Sequence, residues 1–155
     1  MKKNTGLLLT FDFGLSWIGV AVGQQVTCTA TPLAPFRATD GKPNWDAIEQ
    51  VINEWKPEGF LVGKPLNMDG TDCDMTQRAI KFGNRLHGRF NLPVQWYDER
   101  LTSFEAKGLL LNNDRNDRNF KQRNIDSISA VIIFEGWAEN QSWIADAATT
   151  KSNEQ

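Results

Sequence analysis

A short, wholly apolar run at residues 59–63 lies between two segments with the hydrophobic spacing of helices. A strand this apolar is expected to be buried on both faces, which is typical of parallel strands joined by helical crossovers. The preceding helix is predicted to begin after the capping residue Asn44 and to end at Pro57. The following helix is predicted over residues 75–90. This order predicts an α/β fold with helices on both faces of a sheet.

The N-terminal part of the chain is predicted to form a meander of strands. Leu, Phe, Val, Ile and Thr dominate residues 6–34, and glycines interrupt them. We predict three strands there, over residues 7–13, 17–23 and 27–34. A polar loop is expected over residues 37–43. With the apolar run and a last strand over residues 94–97, the sheet is predicted to have five strands, antiparallel at first and then parallel.

The C-terminal part is predicted to hold two helices on either side of a basic loop. Thr102 and Glu105 form a capping box for a helix through residue 111. Residues 112–124 are almost wholly polar, which predicts a mobile loop. The last helix is expected over residues 125–138. We therefore predict one domain over residues 1–139 and a flexible tail over residues 140–155.

The counts of histidine and cysteine limit the chemistry that is open to the chain. One histidine, His87, and two cysteines provide neither a zinc site nor a disulfide framework, so catalysis is expected to use carboxylates. The apolar run near the N-terminus is too short for a signal peptide or a membrane span, so we expect a cytoplasmic protein. A formal net charge of -2 gives no global attraction to nucleic acid, and any basic surface must be local.

Acidic residues lie at the ends of two predicted strands and at the start of the last helix. Asp12 ends an apolar strand, where an unpaired carboxylate would be costly. Asp98 and Glu99 close a later strand, and because side chains alternate, only one of them can share a face with Asp12. Asp126 begins the last helix. Each has an ordinary structural explanation, as a turn residue, a surface ion-pair partner or a helix-start acid.

Taken together, these carboxylates resemble a site for a hard divalent cation such as Mg²⁺, which prefers oxygen ligands. Such a cation would position and activate water for attack on a phosphodiester. This chemistry needs no histidine. The sequence alone does not choose between Asp98 and Glu99.

Five ordered segments carry a family resemblance: residues 11–14, 18–23, 62–71, 98–103 and 126–127. Over residues 7–139 the chain resembles the YqgF family of pre-16S rRNA nucleases, also described as Holliday junction resolvases, with a ribonuclease H-like fold. The resemblance implies that Asp12, Glu99 or Asp98, and Asp126 bind Mg²⁺ or Mn²⁺ for endonucleolytic cleavage. It implies trimming of the 5′ end of the 16S rRNA precursor, and hence contact with ribosomal particles.

Two other functions stay open. Resolution of a four-way DNA junction would favour a homodimer over a monomer, because two symmetric cuts are needed. A non-catalytic nucleic-acid-binding module for ribosome assembly is the alternative of another class. Ser16 keeps it open, because the family usually carries a basic residue at that position.

Several basic and polar residues near the predicted site are candidate nucleic-acid contacts: Lys64, Asn67, Arg100, Arg115, Arg118, Lys121 and Arg123. Lys64 stands where the family usually has an apolar residue. For Asn67, a rigid turn before the next helix is an equally good explanation. The basic residues of the helix over residues 75–90 are also candidates for phosphate contacts, with a solvated charged face as the default explanation: Arg78, Lys81, Arg85 and Arg89. Most tryptophans are expected in the core, and only Trp17 stays open.

Overall fold

The computed structural model describes residues 6–99 and 127–139. Within them the strands are β1 (Leu7–Asp12), β2 (Trp17–Gln24), β3 (Thr29–Pro32), β4 (Phe36–Thr39), β5 (Lys42–Pro43), β6 (Gly59–Lys64) and β7 (Val94–Asp98). The helices are α1 (Trp45–Trp55) and α2 (Asp74–Phe90), and residues 127–139 form a helix that we call α3. The predicted helix over residues 102–111, the basic loop and the tail lie outside the described residues.

The strands form one mixed sheet in the order β5-β4-β2-β1-β6-β7, with β3 also paired to β2. β1 is antiparallel to β2 and parallel to β6, which is parallel to β7. The mixed α/β fold is therefore confirmed. The predicted number of five strands was wrong, because seven are present in the described part of the chain.

The additional strands are β4 and β5, which follow the third predicted strand. β3 pairs with the C-terminal end of β2, and β4 pairs with its N-terminal end, so both strands run antiparallel along β2 in succession. They are separated near Pro35, which has no N–H group for a ladder bond. The predicted polar loop over residues 37–43 was also wrong. Asp40 and Gly41, both with positive φ, form a two-residue turn that joins β4 to β5 as a hairpin.

Helices α1 and α2 pack on one face of the sheet. The Asn44 side chain caps α1 by accepting a hydrogen bond from the Asp46 N–H (3.0 Å), as predicted, and α1 ends before Lys56 and Pro57. α2 begins at Asp74, one residue earlier than predicted. The core on this face includes Leu9, Phe11, Phe60, Phe82 and Leu86.

Helix α3 covers the opposite face. The core beneath it includes Leu8, Leu61, Tyr97, Ile133, Phe134 and Trp137. Helices therefore lie on both faces of the sheet, as predicted. Within residues 6–99 and 127–139, no helix has the length and apolar character needed to cross a membrane.

Candidate metal and nucleic-acid site

Asp12 is the last residue of β1, and its side chain points to the face covered by α3. Leu9 and Phe11 belong to the core under α1 and α2, whereas Leu8 belongs to the core under α3. Because side chains alternate along a strand, Asp12 shares the face of Leu8. Asp12 is half-buried and pairs with Gly19 of β2. The sheet thus holds a carboxylate at the end of a rigid central strand.

Asp98 and Glu99 are separated by the same alternation at the end of β7. Trp96 points to α2, where it packs against Gly83, and Tyr97 points to α3, where its hydroxyl approaches Gly136. Asp98 therefore lies on the α2 face, in register with Lys64. Glu99 follows on the α3 face. Asp12 and Glu99 share one face of the sheet, and Asp98 lies on the other.

Gly63 lies between these two carboxylates. Phe11 of β1 pairs with Val62 of β6, so the next residues along the two strands, Asp12 and Gly63, lie side by side. On its other side, Gly63 pairs with Tyr97 of β7. A Cβ at Gly63 would collide with Glu99 Oε1 and would lie 2.6 Å from Ile133 Cδ1. The missing side chain therefore leaves room for the Glu99 carboxylate over β6, the strand between β7 and β1.

Ser127, the first described residue of α3, fixes this helix to the sheet. Its buried hydroxyl accepts a hydrogen bond from the Val20 N–H (3.2 Å) and donates one to the Leu33 carbonyl (2.6 Å). The Leu33 N–H also donates to the Val20 carbonyl, at the point between the β2–β3 and β2–β4 pairings. The Ser127 hydroxyl therefore connects β2 to the segment between β3 and β4. Val20 adjoins Gly19, the partner of Asp12, and α3 therefore starts at the end of the sheet that carries Asp12.

Sequence reasoning missed the positioning roles of Gly63 and Ser127. A glycine that ends a wholly apolar strand is a sign of close approach by another group, and this sign could have identified Gly63. Ser127 gives no such local signal, because its partners are 107 and 94 residues away in the chain.

Comparison with known proteins identifies the family. Residues 6–140 match the family model described as "RuvX: Holliday junction resolvase". The chain belongs to the RuvX (YqgF) family. A relative from Actinobacillus pleuropneumoniae serotype 7 is 55% identical over 134 residues, covering 86% of this chain and 97% of the relative. One from Azotobacter vinelandii is 50% identical over 131 residues, covering 84% and 92%. Both bear the name "Putative pre-16S rRNA nuclease".

Solved structures show that this RuvX family member has the fold of junction resolvases. The yeast mitochondrial Holliday junction resolvase Ydc2 matches with a TM-score of 0.60 at 10% identity, covering 97% of this chain and 87% of Ydc2. Thermus thermophilus RuvC in complex with a Holliday junction matches with a TM-score of 0.54 at 14% identity, covering 87% and 96%. The ribonuclease H-like fold and the family resemblance are both confirmed.

The donor chemistry of the RuvX chain fits a hard divalent cation. Asp12 and Glu99 offer carboxylate oxygens on one face of the sheet, from the ends of the two strands that flank β6, and both are half-buried. Oxygen donors of this kind suit Mg²⁺ or Mn²⁺. Across residues 6–99 and 127–139, no group of three or more His, Cys, Asp or Glu side chains could hold a metal ion. Asp126, the third predicted ligand, lies outside these residues.

Two of the predicted nucleic-acid contacts are described. Lys64 ends β6 on the α2 face, away from Asp12. Asn67 stabilises its own loop, because its side-chain amide donates hydrogen bonds to Thr71 Oγ1 (3.0 Å) and to the Asp72 carbonyl (3.3 Å). The rigid-turn explanation therefore accounts for Asn67. Arg100, Arg115, Arg118, Lys121 and Arg123 lie outside the described residues.

The tryptophans divide between core and surface. Trp137 of α3 is buried, and the Trp45 ring stacks on Phe82 with the ring centroids 5.8 Å apart. Trp17 is 46% exposed. It lies two residues before Gly19 on β2 and therefore on the same face as Asp12. An exposed aromatic ring thus lies on the same face of the sheet as Asp12.

Proposed function

We propose that this RuvX family member is a metal-dependent endonuclease that hydrolyses phosphodiester bonds at the sheet end carrying Asp12 and Glu99. The observation that carries the proposal is the position of Glu99, across Gly63 and on the face of Asp12. Asp126 is proposed as the third carboxylate, on the strength of the family resemblance. Asp98, on the opposite face, is assigned no ligand role.

Each residue has a defined task in this proposal. Asp12 and Glu99 hold two like charges on one face, an arrangement that favours a bound cation. Mg²⁺ or Mn²⁺ supplies, when bound, the Lewis acidity that lowers the pKa of water and neutralises charge on the phosphate. Gly63 leaves the space beside β6 that the Glu99 carboxylate occupies. Ser127 holds the start of α3 against β2.

The substrate we propose is the 16S rRNA precursor, cleaved near its 5′ end. The names of relatives that are 50–55% identical to this chain support this choice. Such a substrate implies action in the cytoplasm, next to ribosomal particles. A four-way DNA junction is the second candidate, because the matching family is described as a Holliday junction resolvase. Junction cleavage would require a homodimer in solution, whereas trimming of one RNA end does not.

The test compares cleavage by two carboxylate variants. The substrate is an end-labelled RNA that spans the 5′ end of the 16S rRNA, incubated with Mg²⁺, and a four-way DNA junction is compared at equal salt. Asp12→Asn is expected to lose more than roughly 100-fold in rate, since even residues that only orient metal ligands contribute about 10- to 100-fold. Asp98→Asn is the matched control and should cleave at nearly the native rate.

Two results would contradict the proposal. Cleavage of both substrates by Asp12→Asn at the native rate would show that this carboxylate is not part of the machinery. Calorimetry that detects no binding of Mn²⁺ to the native protein would favour the non-catalytic assembly module.

A further inference from the structure

A basic pocket lies on the α2 face of the sheet, at the end that carries Asp12. Its volume is about 340 Å³. Four basic side chains and one acidic side chain line it: Lys42, Arg78, Lys81, Arg85 and Asp40. The pocket is therefore strongly cationic, although the chain as a whole has a formal charge of -2.

The pocket is built from two elements that are fixed to the core. Arg78, Lys81 and Arg85 are spaced by three and four residues, which sets them along one face of α2. The turn of the β4–β5 hairpin forms the opposite wall. It is held to the end of β1, because the Gly41 N–H donates to the Leu15 carbonyl (2.9 Å) and Phe13 packs against Gly41. The cations therefore surround a preformed cavity.

The charges of the pocket are only weakly compensated. Asp40 Oδ1 lies 3.1 Å from Arg78 Nη1, in an ion pair whose side chains are 72% and 47% exposed. Exposed pairs of this kind contribute little stability. Arg89, further along α2, instead packs over an aromatic ring, with its guanidinium 4.5 Å from the centroid of the Trp45 ring. The pocket cations differ from Arg89 because they border an open cavity.

We propose that this pocket binds backbone phosphates of the nucleic-acid substrate, on the strand next to the bond that is cut. This inference rests on the proposed nuclease function. Guanidinium groups match phosphate oxygens in a fork geometry, and lysine adds a point charge. Phe13, which lines the pocket, directly follows Asp12 and points to the opposite face. A strand bound at Asp12 reaches the pocket by crossing the end of the sheet.

The proposed contact positions the nucleic acid without reading its base sequence, because every nucleotide carries the same phosphate. Neutralising pocket cations should weaken binding equally for RNAs of different sequence. The loss should also appear in the salt dependence, which reports the number of phosphates that the protein neutralises. This readout separates a phosphate contact from a merely structural role.

The test measures binding of a fluorescein-labelled RNA hairpin with a single-stranded 5′ extension, by anisotropy, in EDTA and over a range of salt. A combined Arg78→Gln, Lys81→Gln and Arg85→Gln variant should lower the slope of log K against log salt by about 0.7–0.9 per lost contact. The same slope corresponds to about fivefold to eightfold weaker binding per contact at 0.1 M salt. A labelled four-way DNA junction serves as a second probe.

Two further variants sharpen the test. Asp40→Asn should tighten binding, because it removes the pocket's carboxylate, and asparagine tolerates the positive φ at this position. Lys56→Gln is the control for loss of a positive charge outside the pocket. Lys56 precedes β6 and lies at the opposite end of the sheet, so both slope and affinity should stay native.

The outcomes separate this inference from the proposed function. A folded triple variant that binds both probes with the native salt slope would overturn the pocket assignment, even if Asp12→Asn is inactive. A reduced slope together with tighter binding by Asp40→Asn would support the pocket. That support would stand even if Asp12→Asn cleaved normally and the nuclease proposal failed.

Discussion

Gly63→Ala is expected to displace the Glu99 carboxylate while the sheet remains folded. The new Cβ would lie 2.6 Å from Ile133 Cδ1, whereas carbon atoms in contact are separated by about 3.5–4.0 Å. Glu99 Oε1, which is closer still, must therefore move by about 1 Å or more. A shift of about 1 Å in a catalytic group can reduce the rate about 100-fold. The crowding itself should lower the free energy of unfolding by about 1–3 kcal/mol.

Three measurements on Gly63→Ala test this reasoning. They are cleavage of the labelled precursor RNA in Mg²⁺, Mn²⁺ binding by calorimetry, and unfolding by urea. Gly59→Ala is the control on the same strand, because the nearest atom to a Cβ there lies 3.1 Å away and no carboxylate is involved. If Gly63→Ala is folded and cleaves within about twofold of the native rate, the position of Glu99 across Gly63 does not matter for activity.

Three smaller predictions concern stability. Ser127→Ala should lower the free energy of unfolding by about 2–6 kcal/mol, because the Val20 N–H and the Leu33 carbonyl each lose a hydrogen bond worth about 1–3 kcal/mol. Urea unfolding measures this loss, and a loss below about 1 kcal/mol would contradict the prediction. Thr10→Val should raise the free energy of unfolding by about 1 kcal/mol, since the buried Thr10 hydroxyl has no hydrogen-bond partner among the described residues. A Tm below that of the native protein would refute this prediction. Partial burial raises the pKa of Glu135 above its usual 4.5, so its charge disfavours the fold above that raised pKa. Glu135→Gln should therefore raise Tm at pH 7, with a gain that shrinks as the pH falls through the pKa, and an equal gain at all pH values would argue against it.

Features with local causes could be predicted from the sequence. The Asn44 cap and the end of α1 before Pro57 depend on neighbouring residues, and the wholly apolar strand β6 indicates its own burial. The Asp40-Gly41 turn is also a local signal. The segment around it is polar, however, and polarity alone predicts a loop over residues 37–43 in place of the β4–β5 hairpin.

The arrangement of the site depends on contacts that are distant in the chain. Alternation alone shows that Asp98 and Glu99 face opposite sides, but only the strand register and the position of α3 show which of them faces Asp12. The opening for Glu99 needs Gly63 from another strand. The spacing of the basic side chains on α2 allows either phosphate contacts or a solvated face, and only the β4–β5 hairpin opposite them makes a pocket.

Titration of Mn²⁺ into Glu99→Gln and Asp98→Asn by calorimetry tests the central claim most directly. The two variants each remove one negative charge from neighbouring residues at the end of the same strand, and they differ in the face they affect. We predict that Glu99→Gln loses Mn²⁺ binding and that Asp98→Asn binds within about twofold of the native protein, since only Glu99 shares the face of Asp12. Loss of binding in Asp98→Asn with native binding in Glu99→Gln would contradict the account.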